Sequence, residues 1–103
     1  RGMPCPPLSS LRKHAGKRIN LTAAVMSGDL GDRENHVFLL CDASGTAYAI
    51  LPRYHVTGTN KPLLSAPYAA VIEIRGVLTR YNPRHKAWNL LLTGSSGVRL
   101  VSC

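Results

Sequence analysis

The sequence predicts an all-β fold that closes into a small barrel, and three observations carry the prediction. Runs of five to ten residues rich in Val, Ile, Leu and Ala recur along the chain, the clearest of them alternating apolar with polar positions. Short clusters of Gly, Asp, Asn, Ser and Pro separate these runs. The chain has 103 residues, which suits one domain, and with 45% apolar residues it can fill a single core.

Residues 1–15 read as an extended, basic and proline-rich arm. Three prolines fall within the first ten positions, and residues 11–16 suit one helical turn that stops at Gly16. Residues 16–103 form the domain proper. In 17–26, Ile19, Leu21, Ala23 and Val25 share one face, the pattern of a half-buried strand. A polar loop follows at 27–35, then a second strand at 36–42. Asp42-Ala43-Ser44-Gly45 makes a tight hairpin, because the Asp side chain can bond its own backbone. A third strand at 46–51 is stopped by Pro52.

The segment 53–68 holds Gly58, Pro62 and Pro67, which excludes a long helix and leaves a short turn around Pro62. Residues 69–79 form a long fourth strand, and Gly76 inside it marks a bulge or bend. A basic hairpin loop at 81–86 leads to a fifth strand at 87–93. After a turn at 94–97, residues 98–101 pair with a sheet edge. Five such strands protect both edges of their sheet only by curling closed, which is the architecture of the OB-fold.

Charge is lopsided. Thirteen Lys and Arg against five Asp and Glu give a net charge of +8, which predicts attraction to polyanions such as nucleic acid. No stretch approaches the roughly 18 consecutive apolar residues of a spanning helix, and the first residues lack an apolar signal core, so the chain reads as soluble, without a membrane partner. An intracellular site is favoured, in cytoplasm, nucleus or nucleoid. The first residue is Arg1, which fits a processed form that has lost an export or organelle signal, a natural start at Met3, or a piece of a longer protein. Cys5, Cys41 and Cys103 are spaced too widely for a zinc motif. Reduced thiols are expected, with a Cys5–Cys103 bridge as the alternative and Cys41 packing as a small hydrophobe.

Catalytic constellations are missing. Asp29, Asp32 and Glu34 share one loop, a poor frame for a general acid and base; Asp42 reads as a turn former and Glu73 as a strand residue. The four histidines stand too far apart for metal-ligand spacing, and Gly58-Thr59-Asn60-Lys61 lacks the glycine spacing and helix of a phosphate loop. No enzymatic activity, cofactor or metal is expected.

Two clusters suit polyanion binding. Arg80, Tyr81, Arg84, His85, Lys86 and Trp88 mix cations with flat rings around the fourth-to-fifth strand hairpin; cations neutralise phosphates and rings stack on unpaired bases. Arg53-Tyr54-His55 repeats the theme after strand three, near the mouth of the same cleft if the barrel closes. Arg12, Lys13, His14, Lys17 and Arg18 form a basic leading segment, and Arg33 is opposed by the acidic residues beside it.

Residues 16–19 (Gly-Lys-Arg-Ile), 37–48 (from Val37-Phe38-Leu39-Leu40 to Ala47-Tyr48) and 71–78 (Val-Ile-Glu-Ile-Arg-Gly-Val-Leu) resemble, in this order, nucleic-acid-binding OB domains of the tRNA anticodon-binding type. The resemblance covers residues 16–102. It implies that alternate residues of strands two and three face the ligand: Val37, Leu39 and Cys41, with Phe38 and Leu40 in the core, and then Tyr48 and Ile50. The loops between strands one and two and between four and five would be the walls.

The function expected is non-enzymatic binding of single-stranded DNA or RNA. Arg53, Arg80, Arg84 and Lys86 would hold phosphates while Tyr48, Tyr54, Tyr81 and Trp88 stack bases. One alternative is a protein-interaction module within a larger nucleoprotein complex, using the aliphatic strip Val37, Leu39 and Ile50. A second is an exported OB domain that binds a small ligand.

Overall fold

A computed structural model describes residues 5–102, the side chain of Ser102 excepted. Six strands follow in order: β1 (Arg18–Val25), β2 (Asn35–Asp42), β3 (Gly45–Pro52), β4 (Val71–Asn82), β5 (Ala87–Leu91) and β6 (Gly97–Ser102). The sheet runs β1-β2-β3-β5-β4, and β1 pairs with β4 to close a five-stranded barrel. All ladders are antiparallel except β3 with β5. The expected terminal strand adds to the N-terminal half of β4 as β6.

Period-2 alternation explains the core. Leu21, Ala23 and Val25 of β1, Phe38 and Leu40 of β2, Ala47, Ala49 and Leu51 of β3, Ile72, Ile74 and Val77 of β4, and Leu90 of β5 all point inward and are buried. Cys41 faces out and is half-buried, with a free thiol; Cys5 is also half-buried and its Sγ lies 3.4 Å from Thr22 Oγ1. The Cys5–Cys103 bridge lies outside the described residues.

β4 shows why a glycine stands inside it. Ile19 pairs with Val77 but Leu21 pairs with Ile74, so β4 carries one extra residue at Arg75–Gly76 opposite Asn20. Gly76 takes φ +69, a left-handed conformation that L side chains avoid. Its N–H donates to Asn20 Oδ1, and its carbonyl accepts from Ser96 Oγ and Arg18 Nη1, so the break in the ladder leaves no group orphaned. Before the bulge one edge of β4 pairs with β6; beyond it the same edge pairs with β5.

The expected arm differs. Leu8–His14 form a 3-10 helix whose Leu8 and Leu11, three apart and therefore on one side, lie in the core. Asp42 reaches beyond its own turn to accept from Leu8 N–H, and at the helix's other end Thr79 Oγ1 donates to the His14 carbonyl. The helix thus spans one end of the barrel from the β2–β3 turn to β4 and plugs it. The 53–70 connection is carried by two more 3-10 helices, Arg53–His55 and Lys61–Ser65, the second at the expected Pro62 turn. Asn60, fully buried, anchors it: its amide accepts from Thr57 N–H and donates to the carbonyls of His55 and Thr93. Ala69 turns left-handed at φ 68, so β4 starts two residues later than expected.

The β1–β2 loop is pinned. Asp29 accepts from the N–H groups of Gly31 and Val37 and, at 2.6 Å, from His36 Nδ1. The other ring nitrogen of His36 lies 3.2 Å from Arg53 Nη1, so the ring joins the loop to the residue that follows β3. Arg53 also donates Nε–H and Nη2–H to the Asp32 carbonyl. Partial burial pushes the Asp29 carboxyl up, but the bond from His36, the backbone N–H groups of Val37 and Gly31 and the charge of His36 outweigh it and hold the pKa near about 2, against an ordinary 3.8.

Two outcomes follow from these constraints. Gly76→Ala should cost about 1–2 kcal/mol in urea denaturation, because the nearest atom to the added Cβ, Ser95 O, is 3.8 Å away and only backbone strain opposes it; Gly76→Asn should cost less, and an unchanged midpoint for the alanine variant would mean the bulge is not needed. A carboxyl whose folded pKa is depressed adds stability above its unfolded pKa and loses it as pH falls through the folded one. Thermal melts should therefore show this contribution fading from about pH 3.8 to about 2. Asp29→Asn should remove it, at a cost near neutrality of about 1 kcal/mol after solvent screening.

Candidate functional site

Side-chain alternation and register define one outward face across four strands. Leu39 pairs with Tyr48, Tyr48 with Asn89, and Asn89 with Arg80, so these four form a transverse row from β2 through β3 and β5 to β4. The adjacent row is apolar: Val37, Ile50, Leu91 and Leu78. Over β5 these rows form the floor of a groove of about 290 Å³ lined by Ile50, Arg80, Tyr81, Pro83, Asn89 and Leu91, among others. The β4–β5 hairpin is longer than its sequence suggests, because Tyr81 and Asn82 pair with Trp88 and Ala87, and its end forms one wall.

Of the residues singled out from sequence, Tyr48 and Arg80 come together here; Tyr81 borders the groove at the hairpin, but its pairing with Trp88 sets its ring on the other side of the ribbon. Tyr48 and Tyr81 are 42% and 48% exposed, enough for either ring to meet a ligand. Arg84 and Lys86 are exposed in the hairpin turn, where Arg84 N–H is held by Asn82 Oδ1 and Lys86 adopts φ 50. Trp88 is turned the other way. It shares its side of β5 with buried Leu90 and Leu92, is half-buried, packs against the core, and meets the Tyr81 ring at 5.3 Å between centroids. Its place is beside Tyr81, on the same side of the ribbon.

The second cluster does not share the end of the cleft that holds the first. β3 and β5 run parallel, so the end of β3 and the start of β5 lie at opposite ends of the face. From Ala47, level with Trp88, to Arg53 is six residues, about 20 Å of strand. Arg53 is held by the β1–β2 loop, whereas Tyr54 is 83% exposed and rests beside His55 with ring centroids 4.4 Å apart. Val37, Leu39 and Ile50 are half-buried, and the loop runs along the edge of β2 beside them, with Leu30 N–H donating to the Val37 carbonyl and Met26 N–H to that of Leu39.

The carboxylates are drawn away from this face. Asp29 and Asp32 order their own loop, Asp42 orders the β2–β3 turn and the helix before β1, and Glu73 pairs with Arg99. Backbone N–H groups of Glu34 and Asn35 hold the Asp32 carboxyl below its ordinary value. For Asp42, burial pushes up but the Ser44 hydroxyl and the N–H groups of Leu8, Ser44 and Gly45 prevail and lower it. Among the described residues, Arg53 and Arg99 are the Lys and Arg side chains within 4 Å of a carboxylate, so Arg80, Arg84 and Lys86 face solvent uncompensated. No group of three His, Cys, Asp or Glu among the described residues is arranged to hold a metal.

Sequence reasoning passed over two residues of consequence. His36 orders the loop, and Asn89 lies at the bottom of the groove. An asparagine inside a strand has no sequence signature, although its alternation with Leu90 and Leu92 predicts an outward direction.

The fold has solved counterparts. The OB domain of a Methanosarcina mazei protein superposes with a TM-score of 0.65 at 18% identity, covering 86% of this chain and 76% of that one. Asparaginyl-tRNA synthetase from Pyrococcus horikoshii gives 0.75 at 8% identity over 99% of this chain and 23% of the enzyme. A murine DNA-binding protein bound with double-stranded DNA gives 0.71 at 14% identity over 97% of this chain, which spans about half of that protein, 48%. The five-stranded OB barrel expected from sequence, and its likeness to OB domains of the anticodon-binding type, are thus established as fold. Comparison with curated proteins gives no match. Residues 9–101 match the model of the family described as the C-terminal domain of a domain of unknown function (DUF8157), and the chain belongs to that family.

Proposed function

We propose that this OB domain binds nucleic acid without catalysing a reaction, and that its ligand is a single strand lying over β3, β5 and the β4–β5 hairpin. One observation carries the reading: a face with an apolar floor and the exposed Tyr48 is flanked by Arg80, Arg84 and Lys86, none of which is within 4 Å of a carboxylate among the described residues. Unpaired bases bring flat apolar surfaces to such a floor, and their phosphates meet the cations. Tyr48 stacks, the Tyr81–Trp88 pair stiffens the hairpin from its other side, and Tyr54 extends the path at the far end, where Arg53 stiffens the loop. Fold likeness to a DNA-binding protein bound with double-stranded DNA supports a nucleic-acid ligand in general. The narrow groove and stackable rings favour single strands over duplex.

Fluorescence polarisation with one labelled oligonucleotide, single-stranded and annealed, tests this. The single strand should bind more tightly. If Arg80, Arg84 and Lys86 each neutralise one phosphate, affinity should fall about 18-fold between 50 and 200 mM salt, as the single-strand counterion slope requires. Tyr48→Ala should weaken the single strand by about 5-fold or more and leave duplex binding nearly unchanged. Tighter binding to duplex, or a flat response to salt, would overturn the reading.

A further inference from the structure

Asn89 is 9% exposed, yet it points outward from the barrel into the groove. Its carboxamide offers two donors and an acceptor. Within the described protein it has no hydrogen-bond partner, whereas the other deeply buried asparagine, Asn60, makes three bonds with its amide. No fully enclosed side-chain polar atom among the described residues lacks a partner, so the Asn89 amide keeps an opening, and that opening is the groove. An almost buried amide is costly to leave unmatched, and a ligand edge that satisfies it gains what solvent supplies poorly there.

The surroundings define what fits. Tyr48 and Arg80 flank Asn89 in its row, one ladder away on either side. Ile50 and Leu91 lie one row along and make the floor apolar, while Tyr81 and Pro83 close the hairpin side. A groove of about 290 Å³ is at the lower edge of the range for small-molecule sites and has room for one flat heterocycle. Flat faces meet Ile50, Leu91 and Tyr48; a polar edge meets the amide; a negative charge beside it meets Arg80.

We infer that the groove receives one unstacked nucleobase and that Asn89 reads its edge, with adenine preferred. This rests on the nucleic-acid reading above. An asparagine amide sets an N–H donor beside a C=O acceptor, the complement of the N6–H and N7 edge of adenine. The two rings of a purine also cover the apolar floor more fully than a pyrimidine does. Asn89 is therefore the specificity-determining residue, and the hairpin cations supply affinity that is indifferent to sequence.

The intact chain can be titrated with labelled decamers of deoxyadenosine, deoxycytidine and thymidine and with an abasic decamer of the same length. Wild type should prefer the adenine strand, and the abasic strand should bind weakest. Asn89→Leu, of similar volume, should abolish the adenine preference, a loss of about 5-fold or more, with affinity for the abasic strand unchanged. Asn89→Asp, nearly identical in shape but able only to accept, should move the preference toward cytosine, whose N4 amine donates. A change of preference is not what a merely structural residue produces, and the Asp variant keeps the test open if the Leu variant misfolds. Wild type that binds all four strands alike, or variants that keep the wild-type order, would overturn this inference and leave the nucleic-acid reading standing. Failure of wild type to bind any strand would overturn both.

Discussion

Closure of the barrel depends on β4 serving three partners, and that depends on one left-handed residue. A regular strand of twelve residues pairs along each edge with one neighbour and continues straight on. The extra residue at Arg75–Gly76 bends β4, so that one edge leaves β6 and takes up β5 while the other stays on β1. The bend also explains the local chemistry: Asn20, Ser96 and Arg18 converge on the bulge because its backbone groups have left the ladder. Through β5 the bend reaches the groove, since the strand that carries Asn89 and Leu91 is the one that β4 can pair with only beyond Gly76.

The second organising feature is where the few carboxylates stand. With a net charge of +8, folding brings cations together, and the fold eases this repulsion locally instead of globally. Asp29 and Asp32 stiffen the β1–β2 loop, Asp42 ties the N-terminal helix to the β2–β3 turn, and Glu73 balances Arg99. Each acts as an acceptor for backbone or side-chain donors close to its own strand. The β4–β5 hairpin has no carboxylate of its own, so its cations remain available. The charges that order the loops are thus not the ones left facing solvent.

Much of the barrel was legible in residue pattern. Ile19 to Val25, Val37 to Asp42 and Ala47 to Leu51 alternate in step with the pleat, and Asp42 and Gly76 announce a turn and a bulge through side-chain and backbone chemistry that is purely local. The N-terminal stretch was less legible. Leu8 and Leu11 lie among prolines and cations in a segment too short for periodicity to register, and their burial depends on the open barrel end they fill. Among the candidate residues, Tyr48 faces out as the resemblance to OB domains implied, and Arg80 was marked by the mixture of cations and rings around the hairpin. Trp88 did not, because near the hairpin end an aromatic can serve either face of the ribbon, and packing against the core decided it.

By itself, then, the sequence determined the number of strands, which residues of the first strands enter the core, the position of the bend and the excess of positive charge. These are properties of neighbours along the chain, set by period-2 burial, backbone freedom and composition. Only the tertiary structure decided that β5 runs parallel to β3. That pairing joins residues some forty positions apart and no local pattern encodes it, yet it separates Arg53 from the hairpin cations and sets Asn89 between Tyr48 and Arg80.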